Sequence, residues 1–286
     1  MEIIIINLLN GISYGVLLFL IASGLSLILG LMGIVNLAHG VIFILGGFAG
    51  LTVAKWTGSF LLAVLAGAVT SGVVGLIMER GFLRLLYKRQ LEQVLVTFGF
   101  VFIISNLIQW IWGAWPRSAF VPSYFAGSVP IMGFYFPIHR FALIAIGAAI
   151  AVGLWWLQDK TKIGAIIRAS MDDKEMAGGL GINLKPITIG AFVLGSALAG
   201  GGCVIGVQLL GSIAHYDGIH MLLLAIAVCI IGGVGSVQGA LVGALLIGII
   251  DSLGRVYFPV MAPWTMYLVM ILILMIRPSG LLGRKL

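Results

Sequence analysis

Long apolar runs, separated by a few short polar stretches, set the pattern of this chain. Nine runs reach or approach the twenty or so apolar residues that a bilayer-spanning helix needs. They cover residues 3–30, 32–54, 58–78, 94–115, 141–157, 187–210, 219–231, 237–253 and 260–276. The first starts almost at the initiator without a basic flank and is longer than a signal-peptide core, so it is expected to be retained. The second is interrupted by polar Asn36 and His39 and by Gly33, Gly40, Gly46, Gly47 and Gly50. Read as re-entrant, it would leave eight crossings and move the N-terminus inside. The pattern predicts an all-α polytopic membrane protein, one transmembrane domain over residues 1–286, with nine spans preferred to eight.

The polar stretches divide into kinds. Residues 80–93 carry Arg80, Arg84, Lys88 and Arg89; residues 116–140 carry Pro116, Pro122, Pro130 and Pro137 among many aromatics, which suits an interfacial surface. Residues 159–186 hold nine of the chain's 25 charged residues. Charge at bilayer depth costs several kcal/mol per group, so this island is expected in water or against another protein. Within it Ser170 reads as a helix N-cap, with Asp172, Asp173 and Glu175 in the first turn, facing the positive end of the helix dipole. Gly181 and Asn183 read as the left-handed close of that helix, and Pro186 as its stop. Met171, Met176, Ala177 and Leu180 supply an apolar stripe; Ile163, Ile166, Ile167 and Ala169 suggest a short helix before it. Such helices can lie on the chain's own bundle or on a partner, and the pattern alone leaves both open.

Composition sharpens the class. Hydrophobic residues make up 61% and charged residues 9%, against about a quarter charged in soluble domains. Glycine is abundant at 41, as expected where membrane helices approach closely. Cys203 and Cys229 sit in apolar runs without metal-ligand spacing, and no disulfide is expected. The net charge of +7 does not call for nucleic acid, because its distribution has a simpler cause. Four basic residues lie in 80–93, five in 159–186 and three in 277–286, leaving Lys55, Arg117, Arg140 and Arg255 elsewhere. The positive-inside rule then predicts those three stretches and the C-terminus in the cytoplasm and the N-terminus outside.

The chemistry is sparse. No G-x-x-x-x-G-K-[ST] occurs, so nothing cradles ATP phosphates in the P-loop manner. Residues 232–239 are glycine-rich but miss the dinucleotide spacing; Gly235, Gly239 and Gly243 instead suggest a small-residue ridge. This stretch loosely repeats residues 33–40, each leading into a small-residue-rich run, and such paired interruptions mark transporter pathways. Asn36 and His39 are read on one helical face, either as a structural polar pair or as groups lining a path. Thr97, Asn106 and Gln208, with Ser105 and Gln109, are uncharged candidates for the same path. Asp251 and Arg255 at i, i+4 suggest a snorkelling ion pair, and His215 and His220 a solvated outer loop. No carboxylate pair, Cys–His pair or Ser–His–Asp set has catalytic spacing.

Four motifs carry a resemblance. They are Gly24–Gly30 (GLSLILG) with Gly33–Gly40 (GIVNLAHG); Gly164…Arg168-Ala169…Met176-Ala177…Gly181-Ile182-Asn183; Ile231–Ala240 (IGGVGSVQGA); and Arg277–Gly283 (RPSGLLG). In this order they resemble the permease subunits of bacterial ABC importers of the branched-chain amino-acid type, the LivH family. The resemblance implies a permease in the cytoplasmic membrane and no enzyme activity or cofactor in this chain. ATP and Mg would be held by two ATP-binding cassette subunits. A second, related permease chain and an extracytoplasmic solute-binding protein would complete the assembly. It further implies that residues 159–186 are a cytoplasmic coupling loop, with Arg168, Ala169, Met171, Asp172, Met176, Gly181, Ile182 and Asn183 expected at the ATPase contact. Branched-chain or other small neutral amino acids are the expected solutes. Val41 and Ala165 depart from the family pattern, where an acidic residue and an arginine are common. An ion-coupled carrier is the alternative, disfavoured by the scarcity of midplane carboxylates.

Overall fold

A computed structural model describes residues 2–87, 89–131 and 133–283. Eleven α-helices are formed among these residues. The first five are α1 (Glu2–Met32), α2 (His39–Thr57), α3 (Phe60–Gly81), α4 (Gln90–Trp112) and α5 (Ile138–Lys160). Two short ones follow, α6 (Lys162–Asp172) and α7 (Lys174–Gly179), and then α8 (Leu184–Leu210), α9 (Asp217–Gly232), α10 (Val237–Tyr257) and α11 (Ala262–Ile276). Seven are long and apolar enough to cross a membrane, while α9 and α11 are shorter apolar helices. The fold also contains four short strands that the apolar pattern does not announce. β1 (Arg117–Ser118) pairs antiparallel with β4 (Ser212–Ile213), and β2 (Ser128–Ile131) with β3 (Phe134–Pro137).

The bundle is organised around α1, whose residues Leu17–Ala22 have no exposure at all. It packs on α8 and α10 above all, and on α5 and α9. A helix apolar on every side is what a fully enclosed position selects. α3, α4 and α5 lie at the periphery instead. Leu61, Leu65, Val69 and Val73 on α3, and Leu95, Phe98 and Phe102 on α4, are exposed apolar groups, the kind of surface that lipid tails cover.

Glycine sets the spacing. A β-carbon at Gly200 would lie 2.0 Å from Ser71 Oγ and 2.5 Å from Gly67 O, and one at Gly46 would lie 2.3 Å from Gly200 Cα. α2, α3 and α8 therefore meet backbone to backbone, where dispersion supplies the attraction that water would otherwise drive. Gly11 and Gly15 of α1 do the same against Gly248 and Ala244 of α10. Of the expected ridge on α10, Gly239 and Gly243 pack on Gly232 and Val228 of α9, whereas Gly235 lies before the helix with φ +79°.

The bundle has two distinguishable ends. At one, Arg140 donates to Asn10 Oδ1, Ser252 Oγ donates to Asn7 O (2.8 Å), and Trp112 Nε1 donates to Thr52 Oγ1 (2.7 Å). The β1–β4 pair and the Phe60–Phe125 ring contact at 5.5 Å lie there too. At the other, Gln158 Nε2 donates to Gly235 O (3.1 Å), and Leu281 N and Leu282 N donate to Ile231 O and Gly232 O. The start of α1 thus shares an end with the proline-rich loop, and the charged island shares the other with the C-terminal stretch.

Some sequence expectations are corrected. The second apolar run is not one helix from residue 32. Residues 33–38 are non-helical and the helix begins at His39, so Asn36 and His39 do not share a helical face. Ser170 caps nothing; it is buried inside α6 and its Oγ donates to Ile166 O (2.6 Å). Thr161 and Asp173 are the N-caps instead. Asn183 opens α8 rather than closing α7, and Pro186 sits in the first turn of α8, where a missing N–H leaves nothing unpaired. His220 lies on α9, not in a loop. Lys88 and residues 284–286, counted above among the basic residues, lie outside the described residues.

Replacing Gly200 by valine should destabilise the purified protein by at least about 1–3 kcal/mol, the usual range for overpacking. Gly99→Ala, at a position with open space around it, should leave the detergent-solubilised melting temperature unchanged or slightly raised.

Candidate functional site

The charged island folds as an elbow. Thr161 Oγ1 accepts from Gly164 N (3.1 Å) and starts α6. A β-carbon at Gly164 would lie 2.1 Å from Gln158 O and 2.4 Å from Leu157 O, so only glycine lets α6 fold back on the end of α5. The Arg168 guanidinium donates to Gln158 O and pairs with Asp159 Oδ1 at 3.5 Å. Asp159 Oδ2 accepts from Gln238 Nε2 at 2.8 Å. α5, α6 and the start of α10 are thereby tied together through Gln158, Asp159 and Arg168.

The inner face of α6 follows helical spacing. Ile167, Ser170 and Met171 lie at i, i+3 and i+4. Ile167 is buried with Leu31 of α1 and Ala191 of α8, and Met171 and Ile187 pack on that cluster. Met171 also reaches over Gly30 and Gly235, where added β-carbons would crowd its sulfur and methyl. α7 is capped by Asp173 Oδ1, which accepts from Glu175 N and Met176 N, both at 2.9 Å. It closes with Ile182 N donating to Ala177 O (3.2 Å) and with Gly181 at φ +81°. Ala177 is buried, while Met176 and Leu180 are 63% and 75% exposed.

The expected contact residues therefore divide. Met171 faces the chain's own bundle and Arg168 is half-buried against α5. Ala169, Asp172, Met176, Gly181 and Asn183 are exposed, and Ile182 is half-buried. Asn183 Oδ1 accepts from Lys185 N (3.2 Å) as the cap of α8. With Ile163, Met176 and Leu180 the outer face presents exposed large apolar groups on an element otherwise rich in charge.

Of the five path candidates the structure brings three together. Leu37 N donates to Thr97 Oγ1 (3.2 Å), which itself donates to Val94 O. Asn36 Oδ1 accepts from Ala38 N (3.1 Å), and His39 Nε2 bonds Ile21 O (3.0 Å). Ile21 stands eleven residues before Met32, about 16 Å along α1 from that end. Residues 33–38 thus carry the chain back inside the bundle before α2 begins. Asn36 and His39 are both at 0% exposure and line neither of the two cavities described below. Asn106 is exposed on α4 and bonds Phe102 O, and Gln208 bonds Phe120 O at the other end of the bundle.

Sequence reasoning missed two features. The first is Glu79, fully buried near the end of α3, which accepts a bond from the Tyr87 hydroxyl. Burial, reinforced by that bond, raises the Tyr87 phenol. Spacing gave a weak sign of it, a lone acid eight residues before a tyrosine. The second is a cavity of about 360 Å³ at the proline-loop end, where Tyr14 and His220 join the Asp251–Arg255 pair (2.8 Å).

The family described as branched-chain amino acid transport system / permease component matches residues 7–277. The chain belongs to this family. The permease is 27% identical to the high-affinity branched-chain amino acid transport system permease protein LivH of Escherichia coli K12, over 96% of this chain and 94% of that one. It is 26% identical to the corresponding BraD protein of Pseudomonas aeruginosa, over 97% and 95%. A probable branched-chain amino acid transport permease protein LivH of Methanocaldococcus jannaschii is 29% identical, over 96% and 91%. Seven apolar helices in a permease of this family make it a multi-pass protein of the inner membrane. The relatives named are transport components, not enzymes.

Thr97→Val should strip the Leu37 N–H of its partner at a cost of about 1–3 kcal/mol. Hydrogen exchange at residues 34–38 of the permease should then accelerate, and Thr97→Ser should restore the slow rate.

Proposed function

We propose that this permease supplies half of the translocation path of an ATP-driven importer for branched-chain or other small neutral amino acids. Two ATP-binding cassette subunits, a second related permease chain and an extracytoplasmic solute-binding protein complete the machine. ATP and Mg belong to the cassette subunits, since this sequence lacks a P-loop.

The observation that carries the reading is the α6–α7 elbow. It is clamped to α5 and α10 on one side, and on the other it exposes Met176, Leu180 and Ile163. An apolar rim on a charged segment at the bundle's end is suited to sit in a groove of another protein. Closure of two ATPase subunits would push that rim, and the ties at Gln158 and Asp159 would pass the push into α5 and α10.

Nine crossings with an external N-terminus fit best. The basic residues gather at the elbow's end, which the positive-inside rule assigns to the cytoplasm. α1 begins at the opposite end, beside the proline-rich loop. On this reading residues 33–57 make one crossing in two parts, non-helical and then helical, and α9 and α11 cross despite their length. Non-helical backbone at that depth is tolerated because it is enclosed by protein. The solute-binding protein then meets the β1–β4 and β2–β3 surface. The uncharged groups of the bundle suit a solute with no net charge.

Two experiments test this. Met176→Glu combined with Leu180→Glu, both on the exposed face, should leave a folded permease whose assembly still hydrolyses ATP but takes up at least tenfold less amino acid; unimpaired uptake would remove the elbow from the ATPase contact. Membrane-impermeant maleimide should label Tyr135→Cys from outside intact cells and Leu180→Cys only after permeabilisation. Native Cys203 and Cys229 are buried and should stay silent; the reverse labelling would invert the topology.

A further inference from the structure

A second cavity, of about 430 Å³, opens at the elbow's end of the bundle between α7 and the body of the fold. It is within the size range of small-molecule pockets, roughly 300–1,000 Å³. One wall is apolar and comes from Leu31, Leu184 and Ile187. Lys174 and Glu175 on α7 and Gln90 at the start of α4 supply the cavity's charged and amide lining, and Tyr87, Gln93, Ser170 and Thr188 add further polar groups.

The polar groups converge. Lys174 Nζ and Gln90 Nε2, both from residues that line the cavity, each lie 3.9 Å from the position that a β-carbon would take at Gly33, next to the lining residue Met32; apart from Gly33 and its chain neighbours no other atom comes within 4 Å of that point. Two nitrogen donors thus approach one open point at the cavity's edge, beside the turn at Gly33 with φ +72°. Neither makes a hydrogen bond or ion pair among the described residues. Partial burial lowers the Lys174 ammonium from its ordinary value, which is the penalty an approaching anion would offset. Glu175 presents a carboxylate from the next position. A cation, an amide donor, an anion and an aliphatic wall around one small cavity complement a zwitterion that carries a branched aliphatic side chain.

We propose that this cavity binds an amino acid of that kind from the cytoplasm, the carboxylate on Lys174 and Gln90, the ammonium on Glu175 and the side chain on Leu31, Leu184 and Ile187. The bound molecule bridges α7 to α1, α4 and α8 and resists the elbow's movement, so that imported solute slows its own import. This regulatory step rests on the reading of the elbow as the ATPase contact; the binding site does not.

The test uses the purified permease and its complex with the ATPase subunits in nanodiscs, without the solute-binding protein. L-leucine is titrated by calorimetry against the permease, with 3-methylbutylamine and 4-methylpentanoate as probes lacking the carboxylate and the amine. L-leucine should bind, each probe should bind at least tenfold more weakly, and Lys174→Gln and Ile187→Trp should each weaken leucine at least tenfold. ATP hydrolysis by the complex should fall at least threefold in saturating leucine and not fall in either variant. No calorimetric binding, or binding that both variants keep, overturns the site. Binding without an effect on hydrolysis overturns the regulation. If the assembly never couples ATP to uptake, the proposed function falls, while the calorimetry still decides the site.

Discussion

Water is absent from a bilayer's interior, so every backbone amide that goes there has to find a partner within the protein. The spanning helices meet that demand simply by being helices. The stretch between α1 and α2 does not, and the surrounding structure is arranged to serve it. Thr97 reaches across from α4 to Leu37, Asn36 turns its own oxygen to Ala38, and His39 is held on the carbonyl of Ile21. These bonds require α1, α2 and α4 to stay in one register. That register in turn depends on the glycines that let α2, α3 and α8 touch. The non-helical stretch and the tight packing are one constraint seen from two sides.

The elbow at the charged end obeys the same economy in a wetter setting. α6 and α7 are too short to hold themselves as isolated helices. α6 persists because Ile167 and Met171 are buried against α1 and α8, and α7 because Asp173 caps it and Ala177 is covered. What remains outside sets exposed Ile163, Met176 and Leu180 among the charged residues 172–175.

Much of this was legible in the sequence, for identifiable reasons. The apolar runs located the helices because a membrane span leaves little freedom in composition. The island at 159–186 announced itself by charge, and its two helices by Ile and Met spacing. The failures were local. Ser170 and Asp173 both look like caps, and only burial decides that Ser170 turns inward while Thr161 and Asp173 cap. Pro186 reads as a stop until the helix is seen to begin two residues earlier. The break at residues 33–38 was signalled by Gly33, Asn36 and His39, but nothing in the pattern says that such a stretch dives inward rather than bending. Asn106 and Gln208 were chosen for polarity alone, and polarity carries no information about which side of a helix or which end of a bundle it serves. The Glu79–Tyr87 pair was overlooked because a turn between them, not helical spacing, brings them together.

The fold-back at Gly164 has a mechanical meaning. Because α6 lies against the last carbonyls of α5, the junction has no slack in which a displacement could be absorbed. The side chains of Gln158 and Asp159 extend the same junction to the first turn of α10. α5 and α10 both rest on α1, which is buried from Gly15 to Ile28 and offers little room to shift there. A load applied at α6 is therefore divided between two struts that share a fulcrum, and the bundle should pivot about α1 rather than bend at its rim.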